Sequence, residues 1–136
     1  MKRRTLFAAA VLSAVAASPT FAHHSFAMFD QTKIISLRGT VHEFQWTNPH
    51  SWIEMDVTGA DGRPRRWSLE LNSPNNLARY GWRRNALRPG ETVTIRINPL
   101  RDGKSGGLFL DLVRADGTKL DSGLPKDGRP INTPSL

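Results

Sequence analysis

Histidine is the scarce and chemically pointed residue of this sequence. It occurs four times in 136 residues, as His23, His24, His42 and His50. Imidazole nitrogen is a ligand for copper, zinc and nickel, and a tetragonal set of nitrogens favours Cu(II). A cut before His23 adds a donor, because the new α-amine and the His23 imidazole then chelate one ion together. The amine must lose its proton to bind, which an unperturbed pKa of about 7.7–8.0 allows near neutral pH. His42 and His50 flank the turn signal Thr47-Asn48-Pro49, so a hairpin there sets both near its rim, within reach of an arm carrying His23 and His24. The pattern points to a metal site of His23, His24, His50 and His42, with copper as the ion. Glu43, Glu54 and Asp56 are available oxygen donors, and Met28 a soft one for Cu(I). The plainer alternative stays open: solvated histidines and carboxylates, with Met28 packed in the arm. No His-Glu-x-x-His or paired-cysteine spacing is present.

Catalysis has less to stand on. His50 beside Ser51 has the residue types of a base and a nucleophile, but adjacent strand residues point to opposite faces. A Gly-x-Ser-x-Gly elbow and a phosphate loop are both absent. The sequence reads as a binding protein rather than an enzyme. A second binding surface can be drawn from arginines and tryptophans. Arg65 and Arg66, with Arg83 and Arg84, could join Trp46, Trp52 and Trp82 in a groove for an anionic ligand or an acidic partner. A solvated basic face over core tryptophans is the ordinary alternative.

The elements that must position these residues follow from periodicity. Ile35, Leu37, Gly39 and Val41 alternate with polar residues, as a half-buried strand does, and the glycine suits a bend. Ile53, Met55 and Val57 mark a second strand. Asp61-Gly62 is a hairpin signal, and Trp67, Leu69 and Leu71 mark a third strand. Ser73 as cap, Pro74 at the first position and Gly81 as stop then frame a short helix. Val93, Ile95 and Ile97 give a fourth strand, and residues 108–113 a fifth. Three strands, a helix and two strands is the order of the OB-fold, a five-stranded Greek-key barrel. The expected fold is therefore mainly β, a small five-stranded OB-fold-like barrel with one short helix between strands three and four. Ile35, Val41, Ile53, Val57, Trp67, Leu69, Val93, Ile95 and Leu110 should line its core.

The ends read differently. Lys2, Arg3 and Arg4 precede a short apolar run at 6–17, and Thr20-Phe21-Ala22 offers small residues before a cut. Residues 1–22 are thus expected to be a cleavable signal peptide, 23–32 an arm, 33–115 the barrel domain and 116–136 a loosely structured tail. The apolar run is too short to span a bilayer, which takes about 20 residues, so an integral membrane protein is not expected. A periplasmic or secreted location is. Three positive charges of the formal +7 lie in the signal. The remainder is mildly basic, which favours an anionic ligand, lipid or protein partner; nucleic acid is not expected outside the cell. The chain contains no cysteine, so disulfides and thiolate sites are excluded and stability must come from packing.

The stretches His23-His24-Ser25-Phe26, Phe44-Gln45-Trp46-Thr47-Asn48-Pro49-His50-Ser51-Trp52, Trp67-Ser68-Leu69-Glu70, 75–82 and 87–93 together resemble a family of small exported bacterial proteins of uncharacterised function. The likeness runs from His23 to about Val113, and Asn48-Pro49-His50-Ser51-Trp52 is its most distinctive part. It implies export and a compact β domain, and no activity.

Overall fold

A computed structural model of the chain describes residues 26–126. The expected signal, His23, His24 and residues 127–136 lie outside the described residues. A 3-10 turn at Phe26–Met28 leads into β1 (Ile35–Gln45), β2 (Trp52–Thr58) and β3 (Pro64–Glu70). Helix α1 (Pro74–Ala78) follows, then β4 (Thr92–Pro99), β5 (Gly106–Arg114) and β6 (Lys119–Asp121). The strands run in the order β3-β2-β1-β4-β5-β6, and a parallel β3–β5 pairing closes the first five into a barrel. With its helix between β3 and β4, this is the OB-fold-like barrel expected from the alternation.

β1 serves both halves of the barrel. Residues 35–40 pair with β4 and residues 40–45 with β2. The strand bends where Gly39 crosses β2 so closely that an added Cβ would sit 2.3 Å from the Asp56 carbonyl oxygen. A strand glycine at such a crossing leaves room for the neighbouring backbone. The short helix starts as the sequence indicates: Ser73 accepts a hydrogen bond from the Asn76 amide, and Pro74 occupies the first turn. Its exit turns at Gly81, past the Arg79 cap, where φ is +85. The Gly81 amide donates to Ala78 and the Trp82 amide to Leu77, the paired closing bonds of a Schellman motif.

The core is one cluster fed by every barrel strand and by Leu77, Trp82 and Leu87 of the helix and its exit. Of the nine positions expected there, Val41, Ile53, Leu69, Val93 and Ile95 belong to it, and Ile35, Val57 and Trp67 pack against it half-buried. Leu110 is fully buried but stands outside it, where Phe109 and Leu112 take part instead. The cause is a bulge. Arg96 pairs with Asp111 and Ile97 with Phe109, so Leu110 is the extra residue and the inward phase jumps past it. β6, outside the five expected strands, pairs antiparallel with residues 111–113. The segment from Asp116, read from the sequence as loosely held, is thus attached to the barrel as far as this strand, and Ser122 beyond it is buried.

Candidate functional site

The β2–β3 ladder continues past both strand ends. Ser51 donates its amide to Asn72 and accepts from the Leu71 amide. Trp52 lies opposite Glu70. Ser51 and Leu71 face the interior and are buried, so by the two-residue period His50 and Glu70 face outward. Glu70 is nevertheless only 4 % exposed. The cover comes from two segments distant in sequence, the arm before β1 and the segment after β6. Phe26 of the arm and Leu124 beyond β6 line, with His50, Glu70, Leu71, Asn72 and Leu108, a cavity of about 20 Å3, room for roughly one water-sized group. Within it His50 turns Nδ1 onto the Glu70 carboxylate. A carboxylate behind an imidazole fixes the ring and makes the far nitrogen, Nε2, the better ligand.

The arm is held by main-chain bonds to residues 99–101, where β4 ends. Phe29 is buried and bridges Leu100; the Asp30 amide donates to Pro99, and the Arg101 amide to Met28. Arg101 Nε adds a bond to the Ala27 carbonyl at 3.0 Å. These contacts deliver the chain to the His50–Glu70 cavity at Phe26. Met28 is exposed on the same arm.

His42 is elsewhere. It is the extra residue of a bulge between Val41 and Glu43, exposed, with Nδ1 3.9 Å from Asp56. Gln45 pairs with Trp52, so three strand residues separate His42 from that level, a rise of roughly 10 Å before His50 is reached. The hairpin rim expected to gather His42 and His50 therefore does not bring them together. The acids near His42 have other partners. Arg66 grips Asp56 through two hydrogen bonds of 2.6 and 3.2 Å, and this pairing holds the Asp56 carboxyl below its ordinary range. Ser68 donates to Glu54 at 2.5 Å, and Gln45 to Glu43 at 3.1 Å. Among the described residues no three His, Asp or Glu side chains gather as a metal-holding group.

The arginine–tryptophan groove is not assembled, and Trp82 is a correction to it. Its ring is fully buried, against Phe44 and Phe109 at centroid distances of 5.6 and 5.3 Å, and Nε1 donates to the Asp121 carbonyl. The glycine-stopped helix end turns the next residue inward, which is why an apparent surface aromatic becomes core. Arg65 pairs with Asp61 and Arg66 with Asp56. Trp46 lies edge-on to Phe44, and Trp52 is half-buried on the outer face of β2. Arg83 donates to the Ala78 and Trp82 carbonyls, and Arg84 is exposed. Ser51 is buried inside the barrel and His50 faces out, so the adjacent pair makes no catalytic dyad. Glu70 is the residue that the sequence did not single out. Its strand phase is that of a solvated side chain, and nothing in local alternation marks cover supplied by segments as far away in sequence as Phe26 and Leu124.

A family model described as a family of unknown function (DUF6152) matches residues 10–110. The chain belongs to that family. No curated protein matches it. Among solved structures, the crystal structure of the mitochondrial single-stranded DNA binding protein Rim1 from S. cerevisiae is similar at 14% identity and a TM-score of 0.45, over 68% of this chain and 98% of that chain. The barrel topology stands on the strand pairings themselves. No helix among the described residues is long and apolar enough to cross a membrane.

Proposed function

We propose that this member of the family is an exported, non-enzymatic β-barrel protein that binds a transition-metal ion, copper fitting best, through His23, His24 and His50. Its place is the periplasm or the space outside the cell, and its task is to buffer or deliver the ion. The observation that carries this reading is the shared cavity of Phe26, His50 and Glu70. Phe26 is two residues after His24 and three after His23. Chain connectivity therefore limits the Cα of His24 to about 7 Å from that of Phe26, and the Cα of His23 to about 11 Å. The arm is docked at the one histidine of the barrel that has a buried carboxylate behind it. Glu70 would orient the His50 ring, and His23 with a freed α-amine would supply the chelate. His42, on its own bulge beside Asp56, has no part in this set.

The test uses the chain beginning at His23, purified without a histidine tag. It should bind Cu(II) with a defined stoichiometry, and binding should weaken as pH falls, since imidazole and amine must be deprotonated to ligate. His50→Ala should lower the affinity by at least tenfold. Absence of Cu(II) binding, or an affinity untouched by His50→Ala, contradicts the site.

A further inference from the structure

The connection from α1 to β4 carries Arg79, Arg83, Arg84 and Arg88 and no acidic residue before Glu91. All four are exposed, and among the described residues none of them enters an ion pair. This sets them apart from Arg65, Arg66, Arg96 and Arg114, each matched to a carboxylate. The connection is also firmly held. Trp82 and Leu87 drive into the core from it, the Ala86 amide closes a turn onto Arg83, and Arg114 donates to the Ala86 carbonyl. With the anchors pointing in, the arginines between and beside them must point out. Glu91, the next acid along the chain, is occupied by Arg114 Nε at 2.6 Å and by the Arg88 amide, and Asp121, which Trp82 reaches, is paired with Lys126. Tyr80, one of four large hydrophobic side chains exposed among the described residues, at 48 %, follows Arg79 in the chain, its ring seated against Gly123.

We propose that this arginine connection is a docking surface for an anionic lipid bilayer. Unpaired guanidinium groups on a rigid platform meet lipid phosphates with little ordering cost, and their fork geometry suits them to phosphate. A half-exposed tyrosine whose ring is supported from one side suits the headgroup level. Nucleic acid fits worse. The β2–β3 face, which OB-folds use for oligonucleotides, carries Glu54, Asp56 and Glu70 here. The surface is independent of the metal reading, and the test needs no metal.

The chain beginning at His23 is sedimented with vesicles of equal parts phosphatidylglycerol and phosphatidylcholine, and with pure phosphatidylcholine. It should partition onto the anionic vesicles only, less so as salt rises. Each basic residue near such a surface is worth roughly fivefold, so Arg79→Gln, Arg84→Gln and Arg88→Gln together should weaken partitioning roughly a hundredfold. Arg83 is kept because its carbonyl bonds help to close the helix end. A control with Arg38→Gln, Arg63→Gln and Lys119→Gln removes the same charge from other exposed positions and should lose far less. Matching unfolding midpoints check that both variants fold. Equal losses in the two triples, no preference for anionic vesicles, or tighter binding to a single-stranded oligonucleotide would overturn the proposal.

Discussion

His50 rests its Nδ1 on the carboxylate of Glu70, a side chain only 5 % exposed where His50 is 31 % exposed. The pair joins a buried acid to a half-open imidazole at the mouth of a cavity closed by Phe26 and Leu124. A turn histidine would ordinarily be dispensable for packing; this one also partners a buried carboxylate.

His50→Ala should therefore cost stability as well as metal affinity. Leaving a buried acceptor without its partner costs about 1–3 kcal/mol. Adding Glu70→Gln should recover part of that loss, because the uncompensated charge is gone. Urea unfolding of the two single variants and the double decides it. Strictly additive losses would mean that the two side chains do not stabilise one another.

Trp82 should behave as core. Trp82→Ala should lose about 3–5 kcal/mol, and Trp82→Phe about 1 kcal/mol, for the bond to the Asp121 carbonyl. A Trp82→Ala variant as stable as the parent would put the ring back on the surface.

Asp111 makes acid stability testable. Burial pushes its carboxyl up, but the Arg96 guanidinium and Lys126 ammonium beside it outweigh this and hold it below its ordinary range. Arg96 contributes two bonds, of 2.8 and 2.5 Å. A carboxyl lowered on folding stabilises the fold fully above its unfolded pKa of about 3.9, and that stability is lost as pH falls through the lowered folded value. Asp111→Asn should thus lower the unfolding midpoint at neutral pH and flatten the acid limb below about pH 4. An unchanged acid limb would contradict the pairing.

Much of the barrel was legible in alternation and punctuation. Strands, the Ser73–Pro74 start and the Gly81 stop all appear in the sequence because they are local. Trp82 was legible in principle, since the residue after a helix-stopping glycine commonly packs back on the helix. The bulges at His42 and Leu110 were not: one inserted residue shifts the phase without altering composition. Glu70 was hidden for a different reason, its cover coming from Phe26 and Leu124, far from it in the chain. The same distance separates His50 from the arm, so the site could be suspected from residue types and not drawn.

The most direct measurement is the Cu(II) affinity of the chain beginning at His23 against the same chain with one alanine added ahead of it, by competition with a chelator. The added residue keeps every imidazole and moves only the α-amine off the His23 chelate. Affinity should fall by at least tenfold in the extended chain while the unfolding midpoint stays the same. Equal affinities would contradict a copper site built on the processed N-terminus.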